Sequence, residues 1–389
     1  MIERHCTLMI PGPSEAATET QLAMAQPTIP HYGDDWTAMN HRVLEKLQRI
    51  FQTKNDMYII PGSSSAAMEA AVNSVIERDT EVLVELSGFF GHRFREMVDS
   101  CGGKVIPLEV PYGKAIDPEE VRRVLKAHPR IKAMTVVHNE SSTGVVNPVA
   151  EIAAVCREFG VLVICDTVSS MGGVEIRTDD WKLDYCLTGA QKCLQSSPGI
   201  GIICLSDKAW DYIDKRAIPI HGWFLNLKNI REYCVKWKDW HGHGPVTAPT
   251  ALYAALDASL DLIMKEGLRE RFARHELNTK AVRRGLEAGG LTLFVDDRIA
   301  SRTVTTIVVP EGLDEKAILG IMKNEFNILI AGTPGNLGTK LVRVGHMGMT
   351  SNKNLLISTI SALMHTMKKL GAKVDIGAAV ETMLEIYGN

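Results

Sequence analysis

The segment MYIIPGSSSAAMEAAVNSVIERDTEVLVEL at 57–86 decides the fold. It starts with a short apolar run at 57–60, continues through a helical pattern at 65–77 and ends in a second apolar run at 81–86. Downstream, further apolar runs at 133–138, 161–166 and 201–204 alternate with helical patterns at 118–127 and 148–159. Such alternation is typical of βαβ units. The sequence therefore predicts an α/β fold with a mostly parallel sheet covered by helices on both faces.

The chain changes character after about residue 262, and its 389 residues are too many for one ordinary core. A charged helix, expected to be exposed, is predicted at 265–289. Short strands are expected in TLFV, TVTTIVV and ILIAG, with helices near 314–326, 353–369 and 376–387. We therefore predict an N-terminal segment at 1–14, a large domain at 15–262 and a smaller α+β domain at 263–389.

Composition narrows the classes of function. The net charge of -3 gives no electrostatic preference for nucleic acid or for an anionic membrane. No apolar run approaches the length of a membrane span, and the first residues lack the pattern of a signal peptide, so a cytoplasmic protein is expected. The eight cysteines lie singly, without paired metal-ligand spacing, and are interpreted as reduced core thiols with no metal site.

Three features follow strand-like runs, where ligands bind in parallel sheets. Gly62 and the serines at 63–65 precede a helix, a pattern that serves either as a helix cap or as a phosphate site. Asp166 ends an apolar strand, where a carboxylate requires a cation or hydrogen-bond donors. Lys192 lies in a turn of small and apolar residues, a setting that lowers a lysine pKa and makes the amine nucleophilic.

Five segments carry a resemblance to a known family: PGP at 11–13, ESSTGV at 140–145, CDTVSSMGG at 165–173, GAQKCLQSSPG at 189–199 and KLVRVGHMG at 340–348. In order and spacing they resemble the alanine/serine–glyoxylate aminotransferase group of the class V, fold-type I enzymes that depend on pyridoxal 5′-phosphate. The resemblance implies a large domain with a seven-stranded sheet, a small C-terminal domain and a homodimer with shared active sites. It also implies transfer of an amino group from alanine or serine to glyoxylate or pyruvate by a ping-pong mechanism.

The resemblance assigns roles to individual residues. Lys192 would carry the cofactor as a Schiff base and move protons, and Asp166 would pair with the pyridine nitrogen. The implied cofactor-binding set is Ser63, Ser64, Ser65, Phe90, Ser141, Asp166, Val168, Gln191, Lys192 and Thr247, with Thr247 reaching a neighbouring subunit. The implied substrate contacts are Arg343, which would bind a carboxylate, together with Gly12 and Tyr32.

Other activities stay open at this point. FQTKN, WKLD and QKCL resemble ureidoglycine–glyoxylate aminotransferases, which place a glutamine where this chain has Tyr32. VPYGKAIDP, LKAHP, DEKA and RVGHMG resemble pyridoxamine–pyruvate aminotransferase, whose unphosphorylated substrate needs no phosphate cup. A cysteine desulfurase would need a reactive cysteine, which the candidate loop at 331–339 does not contain, and an inactive binding module would be expected to lack the lysine or the aspartate.

Overall fold

The computed structural model describes residues 6–335 and 337–388. Within these ranges the strands are β1 (Thr7–Leu8), β2 (Asp56–Pro61), β3 (Glu81–Leu86), β4 (Lys104–Glu109), β5 (Ala133–Val137), β6 (Asn139–Glu140), β7 (Val145–Val146), β8 (Leu162–Asp166), β9 (Tyr185–Gly189), β10 (Ile200–Leu205), β11 (Val304–Val308), β12 (Ile328–Leu329) and β13 (Leu341–Gly345).

The helices are α1 (Thr18–Met24), α2 (Asp34–Phe51), α3 (Ser64–Val75), α4 (Phe89–Ser100), α5 (Pro118–Ala127), α6 (Val149–Glu158), α7 (Asp207–Asp214), α8 (Leu227–Lys236), α9 (Thr250–Glu266), α10 (Leu268–Ala288), α11 (Glu315–Phe326), α12 (Lys353–Lys369) and α13 (Ile376–Ile386). Short 3₁₀ turns occur at Asp297–Ile299 and Gly348–Thr350.

A seven-stranded sheet in the order β2-β10-β9-β8-β5-β3-β4 forms the centre of the molecule. The β8–β9, β5–β8, β3–β5 and β3–β4 pairs are parallel, and β10 runs antiparallel to both β2 and β9. The prediction of an α/β fold with a mostly parallel sheet is confirmed. Five of the strands coincide with the predicted apolar runs, whereas β4 and β9 were not predicted.

Helices cover both faces of this sheet because the strand side chains alternate between two apolar clusters. On one face, α2, α5, α6 and α9 pack through residues such as Trp36 and Ile152. On the other, α3, α4, α7 and α8 pack through residues such as Phe94 and Trp210. Because these strands are parallel, their carboxyl ends lie at one edge of the sheet, and the loops that follow them meet there.

The C-terminal region has its own apolar cluster, in which α10, α11, α12 and α13 pack against the β11–β13 pair. The prediction that the helix at 265–289 is exposed was wrong for one face. His275 and Leu286 of α10 are fully buried, since the helix lies against α12 and α13. The run TLFV contributes only an isolated bridge between Leu293 and Ile307. Because α9 continues unbroken past residue 262, the domain boundary stays a prediction.

Two further properties bear on the predictions from composition. None of the described helices combines the length and the apolar character needed to cross a membrane. All eight cysteines are free thiols, and five of them are buried.

Candidate active site

Lys192 lies in the loop that follows β9, and its side chain is almost completely buried. The Ser14 hydroxyl donates to the Lys192 carbonyl at 2.7 Å, and the Ser14 amide donates to the Gln191 carbonyl at 2.8 Å. The Lys192 amine itself donates to the backbone carbonyl of Pro11. Burial lowers the pKa of Lys192 to about 8, with Asp166 opposing this shift. Pro11 and Ser14 therefore hold the lysine, whose pKa lies near neutral pH.

Arg271 holds the loop that contains Lys192 in place. Its guanidinium, buried in α10, donates to the carbonyls of Cys193 and Gly172 at 2.6 Å each. It also donates to the Gln195 side chain at 2.9 Å and pairs with Glu266 at 2.6 Å. These bonds satisfy carbonyls that the tight loop leaves unpaired, so the backbone around Lys192 is rigid.

Asp166 is the last residue of β8 and is buried. Its carboxylate accepts one hydrogen bond, from the Val168 amide at 2.7 Å, and no ion pair among the described residues involves it. Burial raises the pKa of Asp166 to about 7, and Lys192 and Arg93 oppose the shift. The second carboxylate oxygen is thus left for a cationic partner that the described residues do not supply.

The serines at 63–65 lie at the start of α3. Ser63 occupies the N-cap position without making a side-chain cap bond, and Ser64 is buried. A side chain added at Gly189 would come within 2.7 Å of the Gln191 amide oxygen and 2.9 Å of Ser64. That amide oxygen is buried and has no hydrogen-bond partner among the described residues. The uncapped helix amides and the serine hydroxyls supply the donors that an anion requires, whereas the Gln191 amide oxygen is an acceptor, so the Gln191 side chain can contribute only through its NH₂ group.

Phe90 lies at the beginning of α4, beside the serines. The Arg93 guanidinium stacks over its ring, 4.7 Å from the centroid, and donates to the Ser65 hydroxyl at 3.4 Å. Arg93 therefore links the aromatic ring to the polar start of α3. The sequence did not single out this arginine.

Arg343 lies in β13 and comes from the C-terminal region to the same edge of the sheet. Its Nη1 donates to the Ser141 carbonyl at 2.9 Å, and its Nε donates to the Gly332 carbonyl at 2.8 Å. Burial lowers the pKa of Arg343 to about 10, a value at which the group stays charged at neutral pH. Nη2 makes no hydrogen bond to the described residues, so one donor of a charged guanidinium is available to a ligand.

Of the other predicted residues, Gly12 and Val168 lie at this site, and Tyr32 and Thr247 have exposed side chains. Gly12 has a φ of 102°, and a side chain there would overlap the Lys192 side chain. Tyr32 is exposed and stacks on Trp240 at 5.3 Å, and Thr247 is exposed in the loop before α9. Neither makes a hydrogen bond or ring contact with Lys192 within the described ranges.

The ring centroids of His241 and His243 are 4.8 Å apart, and those of His31 and His243 are 5.3 Å apart. In residues 6–335 and 337–388, no group of three or more histidine, cysteine, aspartate or glutamate side chains is arranged to hold a metal ion. The rings instead pack against the Trp36 and Trp240 side chains. They join the segment around residues 31–36 to the loop at 240–244.

Sequence reasoning missed several residues that shape this site, namely Pro11, Arg93, Glu140 and Arg271. Glu140 is fully buried and accepts hydrogen bonds from backbone amides of α4. Its presence in ESSTGV was visible, but its partners lie about 50 residues away and no local pattern connects them.

Comparisons with known proteins agree with this geometry. The family profile described as aminotransferase class-V matches residues 17–350. An uncharacterised aminotransferase from Methanocaldococcus jannaschii is 41% identical, over 97% of both chains. The crystal structure of ureidoglycine–glyoxylate aminotransferase from Bacillus subtilis is 32% identical, with a TM-score of 0.94 over 100% of both chains. That of alanine–glyoxylate aminotransferase from Nostoc is 33% identical, with a TM-score of 0.90 over 94% of this chain and 96% of the other.

Proposed function

Since this chain belongs to the class V aminotransferases and depends on pyridoxal 5′-phosphate, we propose that it moves an amino group from alanine or serine to glyoxylate or pyruvate. The two half-reactions follow each other in a ping-pong sequence. The observation that carries the proposal is the buried amine of Lys192, whose ionisation is affected by both Asp166 and Arg343. A nucleophilic amine, a buried carboxyl group and a guanidinium with one free donor thus share one site.

The residues present fit the cofactor. The uncapped start of α3 matches a phosphate group, to which Ser63, Ser64 and Ser65 would donate through their hydroxyls and Gln191 through its NH₂ group. The unpaired carboxylate of Asp166 matches a protonated ring nitrogen. Phe90, Ser141 and Val168 would enclose the ring, and Lys192 would bind it covalently.

Each side chain has one task in the proposed reaction. When bound, pyridoxal 5′-phosphate supplies the electron sink that lets the bond from the substrate α-carbon to hydrogen break. The Lys192 amine would take the proton from that α-carbon as a general base and pass it, as a general acid, to C4′ of the cofactor, the carbon that keeps the amino group. Arg343 binds the carboxylate of each substrate through its free donor, which orients the α-carbon toward the lysine.

We also propose a homodimer in which Thr247 and Tyr32 complete the active site of the partner subunit. Both side chains are exposed, and neither forms a hydrogen bond with Lys192 among the described residues. Tyr32 stacks on the exposed Trp240, and Trp223 and Phe224 are exposed as well. Patches of large aromatic residues are typical of protein interfaces.

The free thiols support a cytoplasmic location, since reducing compartments keep cysteines unpaired. The proposed enzyme would act there on small, water-soluble amino acids and oxo acids.

The runner-up activities are those of pyridoxamine–pyruvate and ureidoglycine–glyoxylate aminotransferases. The first is disfavoured by the anion-binding features around Ser64 and Gln191, which an unphosphorylated substrate would leave empty. The second is supported by the B. subtilis structure, although Tyr32 replaces the glutamine expected from that resemblance.

An absorbance spectrum of the freshly purified protein tests the proposal. We expect a visible band that bleaches with L-alanine or L-serine and returns with glyoxylate or pyruvate. Lys192→Ala should lack both the band and turnover, and a variant that retained either would contradict the assignment. A colourless protein that turns yellow only with pyridoxamine and pyruvate would establish the runner-up, and bleaching by (S)-ureidoglycine alone would establish the other.

A further inference from the structure

Glu140, at the end of β6, is a fully buried carboxylate held by backbone amides. One oxygen accepts from the Phe90 amide at 2.9 Å and the Gly91 amide at 3.4 Å. The other accepts from the Ser142 amide at 2.9 Å. No ion pair among the described residues involves Glu140, so these amides carry the stabilisation of its charge. Both oxygens act as acceptors, as an ionised carboxylate does.

The amides of Phe90 and Gly91 are at the start of α4, where helix N–H groups have no partner within the helix. The N-cap residue, Gly88, has no side chain to satisfy them. The Ser142 hydroxyl accepts from the Phe89 amide at 3.0 Å, so it completes the set. Glu140 and Ser142 thus cap α4 from a distant loop, and the charge also interacts favourably with the helix dipole.

The space around this cap explains why residue 88 is glycine. A side chain there would come within 2.5 Å of both the Glu140 carboxyl carbon and the Ser142 hydroxyl. The φ of Gly88 is 177°, which any residue adopts, so the requirement is one of room. The glycine allows the loop of Glu140 to touch the helix start directly.

The cap connects two parts of the candidate active site. Phe90 presents the ring that would lie on the cofactor, and Ser141, next to Glu140, accepts the hydrogen bond from Arg343. Glu140 also raises the pKa of Arg343 against the effect of burial. Movement of the Glu140 carboxylate would therefore disturb the aromatic ring and the substrate arginine together.

We propose that Glu140 is a positioning residue of the aminotransferase, which fixes the Phe90 ring and the Ser141–Arg343 contact through one set of backbone hydrogen bonds. The inference rests on the proposed function, because it assigns Phe90 to the cofactor and Arg343 to the substrate. Glu140 touches neither ligand and acts through these residues.

Glu140→Gln tests the inference, since the amide keeps the shape of the side chain but turns one acceptor into a donor that faces N–H groups. In the apoprotein, we expect hydrogen exchange of peptides covering 87–92 and 139–145 to accelerate at least about tenfold, the effect of losing charge-assisted bonds. The dissociation constant for pyridoxal 5′-phosphate should rise about tenfold or more. The visible circular dichroism per bound cofactor should fall, because the ring is no longer held in one orientation.

Glu151→Gln is the matched control, because Glu151 lies exposed on α6, away from the site. If Glu140→Gln does not fold, Ser142→Ala replaces it, with the same changes expected at about threefold or more, as for loss of one neutral cap. Normal exchange of the two peptides, or unchanged cofactor affinity and circular dichroism, would each overturn the proposal. These readouts need no amino donor, so failure of the wild-type protein to use alanine and glyoxylate would refute the proposed function alone.

Discussion

The side-chain amine of Lys192 donates a hydrogen bond to the backbone carbonyl of Pro11, 181 residues earlier in the chain. The acceptor is neutral, and within the described residues Lys192 forms no ion pair. Burial therefore decides its ionisation and lowers its pKa to about 8, although Asp166 favours the charged form. Pro11 and Gly12 thus lie against the lysine side chain and contribute to its burial.

The first prediction concerns pH. A lysine amine attacks a carbonyl only when it is neutral, and with a pKa near 8 roughly one tenth of Lys192 is neutral at pH 7, against well under 1% for an ordinary lysine. Covalent loading of the apoenzyme with pyridoxal 5′-phosphate should therefore accelerate about fivefold from pH 7 to 8 and level off above about 9. Stopped-flow absorbance measures this rate, and a rate still rising steeply at pH 10 would show an ordinary lysine.

A second prediction concerns Gly12, whose positive φ and lack of a side chain both matter. In Gly12→Ala the new methyl group would overlap the Lys192 side chain and displace its amine. We expect cofactor loading to slow at least tenfold, together with a stability loss of about 1–2 kcal/mol from the left-handed backbone. Loading kinetics and urea unfolding separate the two effects.

Gly371 provides the matched control for that experiment. Its φ is 100°, close to that of Gly12, but a side chain added there meets nothing within 4 Å. Gly371→Ala should show the same loss of stability with normal cofactor loading. Equal loading in both variants would mean that the N-terminal segment does not position Lys192.

The sequence predicted the sheet largely because its buried strands are continuous apolar runs. It failed at β4, an edge strand in which the exposed Pro107 and Glu109 alternate with the buried Ile106 and Leu108. It also failed at β9, which includes Thr188 and Gly189. Neither segment stands out by hydrophobicity alone. It also failed at α10, because the charged residue Arg271 is buried there by bonds to distant carbonyls.

The sequence could indicate those site residues that stand in a local pattern, but not those that act through contacts far apart in the chain. Asp166 ends a predicted strand, and residues at the ends of parallel strands meet at one edge of a sheet. Lys192 was indicated by the small and apolar residues of its turn, because the strand before it, β9, was not predicted. Glu140 and Pro11 could not be found in this way, since each acts through backbone groups that the fold brings from far along the chain. Thr247 and Tyr32 stay predictions, because their proposed contacts lie in a partner subunit.

The third prediction uses the buried charge of Asp166. Asp166→Asn keeps an oxygen for the Val168 amide but cannot pair as an anion with a protonated ring nitrogen, so turnover should fall at least about 100-fold. In the apoprotein, however, the variant should be more stable than the wild type at pH 8. The pKa of Asp166 is raised from 3.8 to about 7, so the wild type loses stability as pH rises through that range.

The gain in stability should reach at most about 4 kcal/mol at pH 8 and shrink toward pH 4, where the folded wild type holds the proton. Urea unfolding of both apoproteins at the two pH values measures the difference, in which the contributions of all other groups cancel. A difference that does not depend on pH would show that Asp166 is not desolvated as the structure indicates.

The last prediction separates the charge of Arg343 from its shape. Arg343→Lys keeps the positive charge but cannot donate at once to the Gly332 carbonyl, the Ser141 carbonyl and a substrate carboxylate. The KM values for the amino donor and the oxo acid should both rise about 10–100-fold, with a smaller change in kcat. Arg269→Lys is the control, since the Arg269 side chain is 92% exposed and, among the described residues, pairs only with Glu270. Steady-state kinetics with alanine and glyoxylate measure the effect. If only one KM changed, Arg343 would bind one substrate rather than both, and the ping-pong site would need a second carboxylate-binding group.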